Sequence, residues 1–491
     1  MPLETDKSGG FKLQLDEVIN SGTYPTVFSR RVPLWSNGVN VEFTEFGVEI
    51  IQGHEDLCDT GVAEPIRGLT QTQITGVPTT YFGNLSALYR YVDGGIVEDL
   101  TGPSGPYNGV DLAVGLDVAT MWSMVTYGDW VFATNGVDKP QVYKTGAAYE
   151  DVAGMDILTA RIFVVQGPHI LAFNTDCCDR EFVWCDADNS EDWVAADDNL
   201  AGQLEIRELE TEIFAAVPIG SRIAVYGKDQ MFLINYLSND LVFGYKPALN
   251  GIGAVGSKAV VPVGRRNFGL STQGFFVTDG LSFEYIDEPA IRHQFRQEAD
   301  TNQLSQTIGY HHEETNQVRW FIPSITGVSG YLGYSYNYER NVWSLLGDDV
   351  IYTAGQERTV YSVPIVGKRD GKLYKESTGN NLPSGAAIPY SLATKGLDLG
   401  DADKTKELTS LRVGLTGAGL NLAVGWSETE SGAVTYRPED SYDLLTGGSG
   451  FISLPLRTAG RWLHLKFEGA VGGADWEVVS LEIIGRLEGT R

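Results

Sequence analysis

The chain has 491 residues, and 36 Lys and Arg stand against 64 Asp and Glu, which gives a formal net charge of −28. An apolar fraction of 42% supplies enough hydrophobic side chains for large cores and excludes an intrinsically disordered chain. The acidic balance excludes a protein that grips nucleic acid by its phosphates, because such binding needs clustered Lys and Arg. It is compatible with a surface past which nucleic acid slides, since a negative wall repels phosphate.

The N-terminus and the four cysteines indicate the cellular compartment in which the protein is made. The opening MPLETDKSGG lacks the basic and apolar regions of a signal peptide, and no stretch approaches the length of a membrane span. Cys58 stands far from Cys177, Cys178 and Cys185, and this spacing does not suit a disulfide scaffold. We therefore expect a protein made in the cytosol, with no membrane span.

In chain order, residues 1–60 are predicted to be a separate extended N-terminal segment. Residues 61–380 then alternate short runs rich in Val, Ile, Tyr, Phe and Trp with turns of Gly, Asn and Asp, a pattern typical of β-hairpins. The runs WVFAT from Trp130, RIAVY from Arg222 and GFFVT from Gly274 are examples.

These runs recur as units of strand, hairpin, strand, hairpin and strand. A looser unit begins at Ile66, and clear ones begin at Trp122, Arg161, Ile213, Ser257, Thr307 and Ile351. Their spacing of roughly 40–50 residues is that of a four-stranded propeller blade. Because one blade cannot bury both of its faces, blades stack in a circle. We predict a β-propeller of six or seven blades over 61–380; a non-cyclic stack of sheets is the alternative.

After the loop GNNLPSG at Gly379, the pattern changes to longer alternating strands over residues 386–491. In WLHLKFEG, which begins at Trp462, the side chains of Leu463, Leu465 and Phe467 share one face. About six antiparallel strands in a segment of this length are typical of a β-sandwich. The predicted fold class is therefore all-β, a propeller followed by a C-terminal β-sandwich.

One acidic loop has the spacing of a calcium-binding loop. Its candidate ligands are Asp186, Asp188, Ser190, Asp192 and Asp197. However, Glu191 stands where such a loop needs Gly, and Trp193 follows at once with no flanking helix pattern. We interpret the segment as a polar loop between two blades.

Two further clusters have the residue types of metal or acid–base sites. Cys177, Cys178 and Cys185 with His169 could hold zinc by type, but their spacing is unusual for such a site, so we interpret them as a hairpin loop with buried thiols.

The second cluster is His311, His312, Glu313 and Glu314. Adjacent histidines on a strand point to opposite faces, so we interpret this cluster as an exposed hairpin.

No catalytic signature is found. The sequence contains no GxSxG elbow, no P-loop and no GxGxxG that opens a helix. The 64 carboxylates leave paired acids for glycoside hydrolysis open as an alternative. We assign no catalytic, cofactor-binding or metal-binding residue, and we predict no cofactor and no enzyme.

Several stretches resemble one family, the tail hub or nozzle proteins of short-tailed bacteriophages, also called phage stabilisation proteins. They are NGVNVEFTEFGVEIIQGHEDL (Asn37–Leu57), PIRGL (Pro65–Leu69), the segment Glu191–Leu237 and the segment Phe243–Gly280 with its FVTDG turn. The resemblance covers roughly residues 30–380 and rests on the order of the loops and strands and on their residue patterns.

The resemblance implies a non-enzymatic structural protein of the virion tail, assembled in the host cytoplasm. Members form a ring, commonly a hexamer, that attaches to a tail adaptor, with tail fibres as further candidate partners. Double-stranded DNA is ejected through the ring without specific binding, and the acidic charge fits such a lumen.

Two alternatives come from other classes. A carbohydrate- or receptor-binding protein could stack sugars on Trp426, Trp462 or Trp476, although these are more often sandwich core. A propeller glycosidase would need paired carboxylates in a central cleft.

Overall fold

A computed structural model describes residues 4–5, 10–15, 19, 34–109, 120–146, 148–237, 241–326, 329–383, 385–399, 403–430, 432–444, 450–456 and 459–487. The N-terminal part of the chain supplies six strands. They are β1 (Glu4–Thr5), β2 (Gly10–Gln14), β3 (Trp35–Val39), β4 (Val41–Phe43), β5 (Val48–Ile50) and β6 (His54–Asp59).

Four antiparallel sheets of four strands follow. The first consists of β7 (Gly68–Ile74), β8 (Val77–Gly83), β9 (Leu88–Val92) and β10 (Val97–Asp99). The second consists of β11 (Ser123–Tyr127), β12 (Trp130–Thr134), β13 (Gln141–Tyr143) and β14 (Glu150–Asp151). The third consists of β15 (Ala160–Gln166), β16 (His169–Thr175), β17 (Glu181–Trp184) and β18 (Gly202–Glu205). The fourth consists of β19 (Ala215–Ile219), β20 (Arg222–Tyr226), β21 (Gln230–Tyr236) and β22 (Phe243–Asn250).

Three more blades complete the circle. The fifth consists of β23 (Val260–Val263), β24 (Arg266–Ser271), β25 (Gly274–Thr278) and β26 (Phe283–Tyr285), and is followed by the helix α1 (Pro289–Glu298) and a 3-10 turn (Leu304–Gln306). The sixth consists of β27 (Ile308–His312), β28 (Gln317–Pro323), β29 (Tyr331–Asn337) and β30 (Val342–Leu346), and is followed by a 3-10 turn (Asp348–Val350). The seventh has β31 (Ala354–Gln356), β32 (Ile365–Gly367) and β33 (Lys372–Glu376).

The seventh blade takes its fourth strand from the N-terminal part of the chain. Strand β6 pairs antiparallel with β33, and Glu376 lies opposite His54. The inner strands β7, β11, β15, β19, β23, β27 and β31 each contact the next, and β31 contacts β7. This closed circle confirms the predicted propeller and fixes the number of blades at seven. The loose unit at Ile66 is a complete blade.

The C-terminal sandwich has long strands. They are β34 (Tyr390–Thr394), β35 (Lys406–Ala418), β36 (Leu420–Ser427), β37 (Thr435–Leu444), β38 (Gly450–Pro455), β39 (Ala459–Gly460), β40 (Trp462–Gly469) and β41 (Asp475–Leu487). Leu463, Leu465 and Phe467 are fully buried, as their alternation predicts. The chain is therefore an all-β protein, a propeller followed by a sandwich.

The described strands of the N-terminal segment belong to both domains, whereas the sequence indicated a separate segment. Strands β2 and β5 pair with β41 in one sandwich sheet, while β3 lies between β30 and β34 in the other. A single nine-stranded sheet therefore runs from blade six through β3 into the sandwich. Asn40, with φ of +55°, lets the chain leave β3 and enter β4 in the opposite sheet.

Candidate functional site

A cavity of about 240 Å³ lies on the propeller axis, and all seven inner strands contribute to its wall. One contributor from each strand in turn is Leu69, Met124, Phe163, Val217, Val261, Tyr310 and Gln356. Its volume is below the range of about 300–1,000 Å³ found for pockets that hold drug-sized ligands. The cavity can therefore admit only a molecule smaller than a typical drug.

Besides Tyr310, three charged or titratable side chains line this wall, namely Lys258, His311 and Glu357. Nδ1 of His311 lies 2.8 Å from Oε2 of Glu357, and its Nε2 lies 3.1 Å from the hydroxyl of Tyr338. Burial lowers the pKa of Lys258 to about 8. Among the lining residues that the structure describes, Glu357 is the one carboxylate. The axial cavity therefore lacks the pair of acids that glycoside hydrolysis requires.

A buried ion cluster lies where the N-terminal segment, blade six and blade seven meet. The guanidinium of Arg319 donates from Nη1 to Oε1 of Glu376 and from Nη2 to Oε1 of Glu42, both at 2.5 Å. The Nε of Arg319 donates to Gln317, and the hydroxyl of Tyr310 donates to Glu376 at 2.8 Å. Each member of the ion triad is at most 10% exposed. The cluster joins three distant stretches of chain by charge-assisted hydrogen bonds.

Burial and charge act against each other in this triad. Burial raises the pKa of Glu42 more than the positive charge of Arg319 lowers it. Burial alone would lower the pKa of Arg319, but the carboxylates, with Glu376 first, raise it overall. Arg319 is charged, because its two Nη atoms donate to the carboxylates of Glu376 and Glu42 and its Nε donates to the amide oxygen of Gln317.

Beside the triad lies an acidic pocket of about 230 Å³. Its charged lining residues are Glu42, Glu45, Glu49, Glu314, Glu339 and Arg340. Burial raises the pKa of Glu49 to about 7, and the neighbouring carboxylates of Glu42, Glu477 and Asp475 add to the shift. Glu49 thus combines two features of a general acid, a raised pKa and other carboxylates nearby.

The acidic loop at Asp186 is held by its own hydrogen bonds. The amide of Asp186 donates to the carbonyl of Asp192 at 2.7 Å, and the amide of Leu200 donates to Oδ1 of Asp186 at 2.7 Å. The indole of Trp193 is buried, and its Nε1 donates a hydrogen bond to the carbonyl of Ser190. The loop connects β17 and β18 within blade three, so the expected position between two blades is wrong.

The cysteine cluster is spread over exposed and buried positions. Cys177 is exposed, Cys178 is half-buried and Cys185 is fully buried, so buried thiols describe only the last of them. His169 points its Nδ1 at the carbonyl of Cys185, at 2.7 Å. Within the described ranges, no group of three or more His, Cys, Asp or Glu could hold a metal ion.

The two adjacent histidines point to opposite sides of β27, as expected. His311 faces the axial cavity, while His312 is fully buried between the hydroxyls of Ser377 and Thr315, at 2.7 and 2.9 Å. Glu313 and Glu314 are exposed at the hairpin tip. The expectation of an exposed hairpin is therefore wrong for the histidines, because the packing of blades six and seven covers them.

The tryptophans considered for sugar stacking lie mainly in the sandwich core. Trp476 is 1% exposed, and Trp426 packs against the same core. Trp462 is half-buried at the start of β40.

Sequence reasoning missed Glu42, Glu49, Arg319 and Glu376, which the structure brings together, and also Lys258 in the wall of the axial cavity. Arg319 had a usable signal, because a charge inside the run QVRWFIP is either exposed or paired. Its partners, Glu42 and Glu376, come from strands far away in the chain, and no signal in the sequence identified them.

Comparison with known proteins assigns no family to this chain. No family model and no curated protein matches the chain. Among solved structures, the computationally designed Ika8 protein gives a TM-score of 0.40 at 10% identity, over 66% of this chain and 99% of the other. The Pan2 WD40 domain of Neurospora crassa gives 0.39 at 6% identity, over 64% and 88%. An exo-β-1,3-galactanase of Phanerochaete chrysosporium gives 0.27 at 10% identity, over 89% and 100%.

The helices give no sign of a membrane segment. In the part of the chain that the structure describes, none is long and apolar enough to cross a bilayer.

Proposed function

We propose that this chain is a structural subunit of a bacteriophage tail hub or nozzle, a ring through which DNA is ejected and which attaches to a tail adaptor. The sequence resemblance motivates the proposal, and the net charge of −28 supports it, because DNA passes an acidic lumen without condensing on it.

The observation that carries the proposal is the continuity between the two domains. The nine-stranded sheet crosses from blade six into the sandwich, and Arg319 ties Glu42 of the N-terminal segment to Glu376 of blade seven at the same junction. Interfaces between domains of one chain are usually small and permit relative motion. A shared sheet and a buried ion cluster oppose such motion, which suits a subunit that must keep its shape while DNA moves past it.

The size of the axial cavity supports a path between subunits. A volume of about 240 Å³ is far too small for a double helix whose major groove alone is about 12 Å wide. DNA would therefore pass through the opening of a ring of several copies, and head-to-tail contacts that close on themselves produce such a ring.

Native mass spectrometry of the purified protein over a concentration series tests the proposal. We expect a closed oligomer of one stoichiometry, with the hexamer as the leading candidate, and no retention of duplex DNA at physiological salt. Tight, salt-sensitive binding of duplex DNA would contradict the proposal.

A propeller glycosidase is the second candidate, and Glu49 favours it. This residue has a pKa of about 7 and stands with other carboxylates in a pocket of about 230 Å³, as a general acid for glycoside cleavage would. Release of reducing ends from a panel of polysaccharides tests it. An enzyme would lose activity in Glu49→Gln and keep it in Glu284→Gln, an exposed control on β26.

A further inference from the structure

Strand β38 forms one end of the eight-stranded sandwich sheet. Within the described ranges its outer side has no partner strand, because β38 pairs with β35 alone, in unbroken register from Gly450 to Pro455. An outer strand with unpaired backbone groups is a template for a further strand, and folded proteins usually block it with charges, proline or a bulge.

β38 lacks those protections, whereas the outer strands of the other sheets have them. Its sequence GFISLP contains no charged residue, and its one proline is the last residue. The outer strand of every other sheet that the structure describes contains at least one charged residue, and so does β1 at the opposite end of the same sheet. These outer strands are β6, β10, β14, β18, β22, β26 and β37.

The matching edge of the other sandwich sheet shows the contrast most directly. There, β37 contains Pro438 and the exposed Asp443, and its register against β36 shifts between Ala423 and Gly425. Each of these features opposes the addition of a strand. The sandwich therefore has one blocked edge and one open edge.

The alternation of hydrogen bonds determines which backbone groups of β38 point outward. Just beyond the strand, the amide of Leu456 donates to the carbonyl of Thr409, in the segment that precedes the paired part of β35. Residues of an outer strand alternate between bonds to the neighbouring strand and groups that point away from it. The even-numbered residues therefore bond to β35, while the amides and carbonyls of Phe451 and Ser453 point away from it. In the described structure these groups have no other backbone partner.

The side chains of β38 match a second copy of the same strand. Leu454 is buried in the sandwich core, Ile452 is half-buried against it, and Phe451 on the opposite side of the strand is 73% exposed. When two copies of β38 run antiparallel and bond through their odd-numbered residues, Ile452 and Leu454 of both copies stay on the core side. Each copy then covers the half-open margin of the core of the other.

Charge also favours this strand as the place where two copies meet. Each chain has a net charge of −28, so two copies repel unless their contact is uncharged. In the stretch of β35 that pairs with β38, the charged residue is Arg412, which lies opposite Ser453 and is paired with Glu482. A two-fold contact would separate the two Arg412 positions by three strand spacings, about 14 Å, which exceeds the screening length of about 8–10 Å.

We propose that β38 pairs antiparallel with β38 of a second copy about a two-fold axis, which joins two sandwich sheets into one. This self-matching contact differs from the head-to-tail contacts of the proposed ring, so the inference does not depend on the tail function. Six residues on each side form a small interface, and we expect a dissociation constant of roughly 1–100 μM. Because the copies carry like charge, the affinity should rise with salt concentration.

Sedimentation velocity over a concentration series tests the proposal. We expect one association step that doubles the mass of the particle. Ser453→Pro should weaken this step at least tenfold, because it removes an outward amide at an edge position that tolerates proline. Phe451→Lys should weaken the step as well, since lysine blocks an edge. Phe46→Lys is the matched control, because Phe46 is 69% exposed between β4 and β5, and it should leave the step unchanged.

Hydrogen exchange of the wild-type protein keeps the proposal testable if Ser453→Pro fails to fold. Peptides that cover residues 450–455 should gain protection as the protein concentration rises, and peptides that cover β37 should not. The proposal is overturned if no doubling step occurs up to about 1 mM protein, tenfold above the weakest affinity expected. Unchanged association in a folded Ser453→Pro variant, or protection that rises at another edge and not at β38, would overturn it as well.

Discussion

Arg319 lies between two carboxylates from distant parts of the chain, and its side chain is only 4% exposed. Removing one partner of such a buried group leaves uncompensated charges, whereas an exposed pair contributes little. The chain contains an exposed pair for comparison, Arg358 with Glu313 on the neighbouring hairpins.

We expect Arg319→Met to lower the free energy of unfolding by about 3–5 kcal/mol, because Glu42 and Glu376 then remain buried without a cation. Arg358→Met should change it by less than about 1 kcal/mol. Urea unfolding followed by tryptophan fluorescence measures both. Equal, small losses in the two variants would mean that the buried triad does not hold the junction together.

Glu49 predicts a specific dependence of stability on pH. Its pKa is about 7 in the folded protein against an ordinary value of 4.5, so the folded state holds this proton more tightly than the unfolded state. The stabilisation that results is complete below pH 4.5 and is lost as the pH rises towards 7.

The melting temperature of Glu49→Gln, measured relative to that of wild type, should therefore rise as the pH increases from 4.5 to 7. It should rise little further at pH 8. Differential scanning calorimetry at pH 4.5, 6, 7 and 8 measures the difference. Glu284→Gln, exposed on β26, is the control and should show no such trend. A constant difference across the range for Glu49→Gln would contradict the raised pKa.

At the scale of elements, the sequence predicted what is encoded locally. Alternating strands and turn residues identified the blades, and the buried set of Leu463, Leu465 and Phe467 identified a sandwich strand. The pairing of β6 with β33 was not predictable, because both strands carry ordinary patterns and pairing across some three hundred residues leaves no local mark. The buried partners of Arg319 were missed for the same reason.

The approach of the residues before β6 to the segment that follows β33 depends on one glycine. Gly53 accepts from the amide of Thr378 and donates to the carbonyl of Gly379, and a Cβ there would lie 2.0 Å from the carbonyl oxygen of Asn381. The clashing atom belongs to the backbone and cannot move aside as a flexible side chain could, so the strand would have to shift away from blade seven.

We expect Gly53→Ala to destabilise the protein by roughly 1–3 kcal/mol, the usual range for overpacking. Gly146→Ala is the matched control, because a Cβ at that exposed glycine meets nothing within 4 Å. Chemical denaturation measures both variants. If Gly53→Ala were as stable as the control, the close contact at Asn381 would not constrain β6.

At the scale of the whole molecule, the seven blades close on themselves, and the sandwich continues the sheet of blade six. The axial cavity is too small for DNA, so the proposed conduit requires several copies arranged around a shared opening. The net charge of −28 per chain would make such an opening repel phosphate.

Cryo-electron microscopy of the purified full-length protein at high concentration tests this account most directly. The account predicts closed rings, each with an acidic central opening wide enough for a DNA duplex and with every propeller axis outside that opening. Particles that remain single propellers with attached sandwiches at every concentration would contradict it.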